Sequence, residues 1–282
     1  MANRAGTGHH LRMADNTSPP DYAAKHPGLL FERHPNGVLL ITLNRPEVFN
    51  ATDAPLHYSL SRVWDDIHDD DDTRVVVVTG AGEAFSAGGD LEWIEGMAGD
   101  YSVIRNVLKE AGDIVYKMMS CEKIIISAIN GVAVGAGLAV ALMADISIID
   151  EEAKFTDGHL RLGVGAGDHA NILWPLACGM AKAKYYLLTA DFIDGKTADE
   201  IGLVSKSVPG DQLMDEAMKV ANKIATGPQD AARWTKRSLN LWLQQAAPAF
   251  DASLAFEMLS FLGPDAAEGA RALREKRKAD FQ

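Results

Sequence analysis

Cysteine is scarce. Cys121 and Cys178 are the only two in 282 residues, and they are too far apart for a CxxC pair. This leaves neither a disulfide scaffold nor a cysteine metal centre, and reads as reduced thiols in a cytoplasmic protein. Positive charge is short as well, with 27 Lys and Arg against 39 Asp and Glu and a formal net charge of −12. Such a surface repels phosphate backbones, which argues against nucleic acid as a partner but leaves room for an anionic small ligand at a local basic patch. The first 28 residues, ending in AAKHPG, lack the apolar core of a secretion signal. They are expected to form a flexible tail, with His9 and His10 as part of it and not as metal ligands.

A membrane span is not expected either. Ile124 to Ala144, IIISAINGVAVGAGLAVALMA, carries no charge, but Asn130-Gly131 is a turn signal that divides it. IIISAI is β-branched and strand-like, and the Ala-, Leu- and Val-rich remainder is helix-like, so a buried strand–turn–helix is the better reading. The nucleotide motifs are missing too. Two glycine clusters, Ala87-Gly88-Gly89-Asp90 and Gly135-Ala136-Gly137, each follow a buried strand and precede a helix. After Gly80-Ala81-Gly82 the third glycine position of a dinucleotide fingerprint holds Phe85, after Gly135-Ala136-Gly137 it holds Val140, and no Walker lysine occurs.

What is present is a globular α/β pattern, 47% hydrophobic and 23% charged. LLFER and VLLITL flank His34-Pro35-Asn36-Gly37 as a hairpin, and RVVVVT reads as a buried strand. Leu56, Leu60, Val63, Trp64 and Ile67 recur at helical spacing, and the acidic run Asp69 to Asp72 reads as a solvated helix end. A further helix is expected near 102–119, short strands at DISIID and AKFTD, and one helix over 170–189. From there the chain is mostly helical. Three regions follow: a tail at 1–28, an α/β core at 29–205 and a helical region at 206–282.

The glycine clusters have two readings. They either permit tight strand-to-helix turns, or they bare backbone N–H groups at two helix starts that converge as an oxyanion hole. Between the strands and the last helices lies TDGHLRLGVGAGDH, residues 156–169, with Asp157, His159, Asp168 and His169 in one glycine-rich loop. For Asp168 the alternative to chemistry is N-cap duty for the helix from Ala170, and for Asp157 a plain Asp-Gly turn. The histidines lack metal-ligand spacing, and no metal site is expected.

Five pieces in order, ITLNRPEVFNA, FSAGGDL, ISAINGVAVGAGLAVALMADISI, FIDGKTADEIGLVSKSV and LREKRKADF, resemble the enoyl-CoA hydratase/isomerase (crotonase) superfamily from Leu29 to Phe281. The resemblance implies a crotonase-type spiral of ββα units, with C-terminal helices that build a homotrimer or a dimer of trimers. It implies an acyl-coenzyme A thioester as substrate and no other cofactor. The N–H groups of Gly89 and Ala136 would hold the thioester oxygen. Asn50, Ala51, Ala87 and Asp90 would lie near the coenzyme A moiety, and Lys276 would reach one of its phosphates.

The two glutamates used by typical hydratases of this superfamily are replaced by Ala139 and His159. Replacement acid–base groups would have to come from the 156–169 loop, with Asp168, His159 and His169 as candidates and Asp157 behind them. That loop also resembles enzymes of 6-oxocamphor hydrolase type, through Asp157-Gly158-His159, Gly167-Asp168 and Trp174-Pro175. Those enzymes cleave a β-diketone carbon–carbon bond. Their pattern includes a histidine in the glycine turn, where this chain has Ala136. A hydratase/isomerase, a β-diketone hydrolase and a non-catalytic acyl-CoA-binding protein are the three functions left open.

Overall fold

A computed structural model describes residues 18–281. The main sheet contains β1 (Leu29–His34), β2 (Val38–Leu43), β3 (Val75–Gly80), β5 (Ile124–Ile129), β7 (Ile146–Asp150) and β10 (Lys206–Val208), in that spatial order. The smaller sheet contains β4 (Ala84–Ser86), β6 (Val132–Val134), β8 (Lys154–Thr156) and β9 (Ile193–Asp194). Among the described residues only β1 on β2 and β9 on β8 pair antiparallel, the first through a turn with Asn36 at φ 66° and Gly37 at φ 77°. Every other pairing is parallel.

The repeating unit is therefore one strand in the large sheet, one in the small sheet, and then helix. β3–β4 leads to α2 (Leu91–Met97) and α3 (Tyr101–Ser120), after α1 (Ala54–His68) has joined β2 to β3. β5–β6 leads to α4 (Gly135–Met143), and β7–β8 leads through the 156–169 loop to α5 (Ala170–Ala177) and α6 (Gly179–Thr189). The result is the ββα spiral that the resemblance implied, and it places the ends of β4, β6 and β8 side by side.

The valine run of β3 shows why the spiral holds. Its side chains alternate between faces. Val76 and Val78 join Ile125, Ile129 and Ile149 in the core under α1 and α3. Val75 and Val77 join Ile124, Ile126, Ile148 and Val208 against α8 (Leu213–Ala225), whose Leu213, Ala217, Ala221 and Ala225 are buried. Both faces of the parallel sheet are covered, as such sheets require. The core therefore does not stop at residue 205: β10 and α8 complete it. Beyond a short α7 (Gly195–Glu200), the chain ends in α9 (Gln229–Gln245), α10 (Ala247–Phe261) and α11 (Pro264–Arg274).

Several local expectations change. Residues 1–17, with His9 and His10, lie outside the described residues. The rest of the expected tail is docked, because Tyr22 Oη donates to Asp70 Oδ2 at 2.9 Å and His26 Nε2 lies 2.8 Å from Asp66 Oδ2. Asp70 is thus no solvated helix end, and Arg33 Nη2 also reaches it at 2.9 Å. The helix expected over 170–189 is two helices, broken not at Pro175 but at Gly179, whose φ of 77° ends α5. The uncharged 124–144 stretch is β5, a turn, β6 and α4, and among the described residues no helix is long and apolar enough to cross a membrane.

One buried ion pair ties α9 to the sheet. Lys236 Nζ lies 2.8 Å from Asp145 Oδ2 and donates to the Lys123 carbonyl, while Asp145 accepts from Ile125 N at 2.8 Å. Burial pushes the Asp145 carboxyl up, and Lys236 opposes that shift. Lys236→Met strands the carboxylate and is expected to cost about 3–5 kcal/mol in urea unfolding. The double change with Asp145→Leu should recover much of the loss.

Candidate active site

The site begins where the two glycine turns meet. A Cβ built on Gly135 would stand 3.5 Å from Gly88 Cα and 3.7 Å from Gly89 N, so the turns after β4 and β6 are packed backbone to backbone. Gly89 is bridged in parallel to Thr52, and that bridge uses the Gly88 carbonyl and the Asp90 amide, not the Gly89 amide. Ala136 lies in the first turn of α4, where N–H groups have no intrahelical acceptor. Both residues line one cavity of about 260 Å³, together with Ala87, Ala139, Asp157, His159 and Asp168.

The loop after β8 supplies the titratable groups. Gly158, at φ 79°, starts a short 3-10 turn (His159–Leu162), and Asp157 Oδ1 lies 2.9 Å from His159 Nδ1. That bond fixes the ring and points Nε2 toward two further carboxyls: Glu257 Oε1 at 3.4 Å and Asp168 Oδ2 at 3.9 Å. Glu257 comes from α10 and is buried. Gly167 lets that helix approach, because an added Cβ there would fall 2.3 Å from the Ser253 carbonyl. Among the described residues Glu257 Oε2 and Asp157 Oδ2 have no hydrogen-bond partner although both are buried.

His169 stands behind Asp168. Its Nδ1 lies 2.6 Å from Asp168 Oδ1 and its backbone N–H donates to the same oxygen at 2.5 Å. Trp174 Nε1 donates to His169 Nε2 at 3.3 Å, so Nδ1 carries the hydrogen shared with Asp168. His169 is fully buried and lies outside the cavity wall: it positions Asp168 and does not face the cavity. Asp168 makes no N-cap bond, since α5 has no side-chain cap.

The fold gathers what the sequence spacing did not suggest for a metal. Asp157, Asp168 and His169 place ligand atoms within 4.8 Å of one another. Both His169 ring nitrogens are engaged in a hydrogen-bond chain, by Asp168 and by Trp174.

These groups hold different charges. Burial would lower the His159 pKa, but Asp157, Glu257 and Asp168 together raise it well above its ordinary value. Burial would raise Asp168, yet His169 and His159 pull it below the usual carboxylate range. Burial, reinforced by Asp168 and Asp157, holds Glu257 above that range despite His159. An acidic and a basic carboxyl therefore flank one imidazole.

The residues placed near coenzyme A by resemblance are more divided. Asn50 is fully buried and fully used, accepting from Arg45 N at 2.8 Å and donating to the Ala81 and Ala84 carbonyls at 2.8 Å. Asp90 caps α2 through Glu92 N at 3.1 Å and lies 3.7 Å from Arg45. The Ala51 carbonyl accepts from Arg45. Lys276 is exposed just past α11, at φ 52°.

Two cavity residues escaped the sequence reading. Glu257 falls on the buried face of α10, in step with Phe250, Leu254 and Phe261. That spacing is the signal that an acid points inward. His57 likewise shares the buried face of α1 with Leu60 and Trp64.

Comparison with known proteins agrees with this fold. The enoyl-CoA hydratase/isomerase family model matches residues 33–282. A probable enoyl-CoA hydratase of Rhizobium meliloti is 34% identical over 247 residues, covering 86% of this chain and 93% of that protein. An enoyl-CoA hydratase/isomerase from Mycobacterium paratuberculosis superposes with a TM-score of 0.82 at 35% identity, over 86% of this chain and 97% of that one. A β-diketone hydrolase from Anabaena, solved with (S)-3-oxocyclohexyl acetic acid, superposes with a TM-score of 0.80 at 28% identity, over 86% and 97% of the two chains.

The charge pattern has a direct consequence for pH. His159 binds its proton more tightly in the folded chain. Its contribution to stability is complete below about pH 6.5 and is lost as pH rises through the higher folded value. Urea midpoints should therefore fall on the alkaline side, and His159→Gln should flatten that decline. Nitrogen NMR of the ring should show an imidazolium at neutral pH.

Proposed function

The chain belongs to the enoyl-CoA hydratase/isomerase family, and on that premise we propose that it adds water to an α,β-unsaturated acyl-CoA thioester. The observation that carries the proposal is the pair Asp168 and Glu257. They are two carboxyls whose pKa values are pushed in opposite directions, both within 3.9 Å of His159 Nε2, on the cavity that Gly89 and Ala136 line. Environments that drive two titratable groups apart are how one site holds a base and an acid together.

The Gly89 and Ala136 N–H groups donate to the thioester oxygen as an oxyanion hole and stabilise the enolate as negative charge develops on it. Asp168, ionised, takes a proton from a water held beside His159. The water oxygen bonds to the β-carbon, and the π electrons move to the enolate oxygen. Glu257, protonated, then gives its proton to the α-carbon. Asp157 orients His159 and His169 orients Asp168. The two carboxyls absent from the positions of Ala139 and His159 are thus supplied by Asp168 and Glu257. Run without water, the same base and acid move a proton along the chain, which is isomerisation.

The reaction draws on protein groups alone, with the coenzyme A thioester as substrate and no resident cofactor. Lys276 reaches a coenzyme A phosphate, and Ala87 borders the pantetheine. The exposed Met180, Leu188, Trp234, Leu239 and Trp242 of α6 and α9 fit burial in a homotrimer or a dimer of trimers.

A second reading is favoured by the likeness to the Anabaena β-diketone hydrolase. Water activated by Asp168 would add to one carbonyl carbon, and the carbon–carbon bond would break. Its electron pair would pass to the second carbonyl in the same hole, and the proton would end on the carbon between them.

Turnover of crotonyl-CoA, followed as loss of the enoyl thioester absorbance, tests the first reading. Asp168→Asn and Glu257→Gln should each lower kcat by about 10²–10⁴. Full activity in both variants would refute the assignment. Consumption of a cyclic β-diketone with no action on thioesters would transfer it to the second reading.

A further inference from the structure

The cavity has a second polar wall that the hydration does not use. His57, in the first turn of α1, lines the cavity and is only 4% exposed. Its Nδ1 lies 2.7 Å from Glu110 Oε2 of α3, and the Trp93 ring of α2 packs against it at 5.3 Å between centroids. Around this pair the wall is apolar, made by Val107, Ala111 and Ile114. A histidine on a buried helix face is ordinarily satisfied at both nitrogens. Here Glu110 engages Nδ1, and among the described residues Nε2 has no protein partner.

The loop carboxyls and this histidine come from different elements of the fold. Asp157, His159 and Asp168 lie in the segment after β8, whereas His57 and Glu110 lie on α1 and α3. A straight hydrocarbon acyl group would fill the apolar wall and leave Nε2 buried without a partner. A group that carries oxygen would not.

We propose that His57, positioned by Glu110, binds an oxygen substituent on the acyl group, so that the thioester this enzyme prefers carries an oxo or hydroxyl function beyond its own carbonyl. An oxo oxygen takes a hydrogen bond from Nε2–H of the imidazolium, and a hydroxyl donates to the Nε2 lone pair of the neutral ring. Glu110 does not touch the ligand. Its part is to hold the ring, as a carboxylate holds the histidine of a catalytic triad. The inference rests on the thioester reading above, and it names the substrate class within that reading.

Calorimetric titration of the full-length protein with two matched sets of probes separates the two claims. The first set is cyclohexanecarbonyl-CoA with its 4-oxo and 4-hydroxy derivatives. The second is the corresponding free carboxylates. Wild-type protein should bind an oxygenated member at least about tenfold more tightly than the plain ring, since a site built to hydrogen-bond an oxygen discriminates against its absence. His57→Leu should abolish or invert that ratio. Glu110→Gln, which leaves the ring in place, should reduce it part way. A plain ring bound as tightly as both oxygenated rings, or a preference that survives His57→Leu, would overturn the role of His57. Free carboxylates that bind while thioesters do not would overturn the thioester reading, and the ratio within the free set would still decide the histidine. Binding of no probe at all would overturn both.

Discussion

The structure of this site depends on one buried charge. His159 is 7% exposed and is met by Asp157 on one ring nitrogen and by Glu257 and Asp168 on the other. Three carboxyls cannot share so small a volume as three full anions, because each buried charge needs a compensating one. The three carboxyls raise the pKa of the imidazole, burial raises that of Glu257, and the two histidines lower that of Asp168. The opposite shifts of the two carboxyls are therefore a consequence of crowding. Two oxygens, Asp157 Oδ2 and Glu257 Oε2, still lack protein partners, and such groups cost about 1–3 kcal/mol each. Strain of that kind is characteristic of places where a ligand completes the hydrogen bonding.

The spiral fold is what brings this charge beside the glycine turns. Each ββα turn moves one small-sheet strand sideways, so the ends of β4, β6 and β8 lie in register, and their following segments open on a common side. The turns after β4 and β6 give backbone N–H groups, and the turn after β8 gives side chains. The fourth contribution is long-range. Glu257 arrives from α10, and Ser253 of the same helix donates to the Gly167 carbonyl at 3.0 Å, one residue before Asp168. The C-terminal helices of the chain thus complete its own site.

Much of this was legible in the sequence because it is local. The hairpin at Asn36-Gly37, the valine strand, the glycine turns and the 156–169 loop all carry their geometry in short stretches. The turn at Asn130-Gly131 was enough to separate a strand and a helix from a membrane span. What the sequence did not show is which partner each polar group finds. Asp70 was read from its acidic neighbours, but Arg33 and Tyr22 decide its environment. The motif around Asn50 gave no sign that its amide bonds the Ala81 and Ala84 carbonyls. His169 was read as a group for chemistry, but Trp174, five positions further on, fixes its tautomer. Glu257 and His57 were missed because a single polar residue on an apolar face has no motif. Only its phase along the helix marks it.

The arginine ion pairs bear on how a large anionic substrate would dock. Arg45 is paired with Asp53 at 3.2 Å and approaches Asp90, and Arg274 is paired with Glu95 of α2 at 2.6 Å. Arg277 is shared between Glu268 and Glu275. These pairs are partly or largely exposed, weak individually and screened by salt, so a phosphate can compete for each cation. Each exchange nevertheless frees a carboxylate on a chain that already carries net negative charge. Coenzyme A would therefore gain less from these pairs than a count of their arginines suggests, and affinity must be concentrated in the cavity. That is the arrangement expected of an enzyme whose specificity lies in the acyl group, where the buried polar groups are.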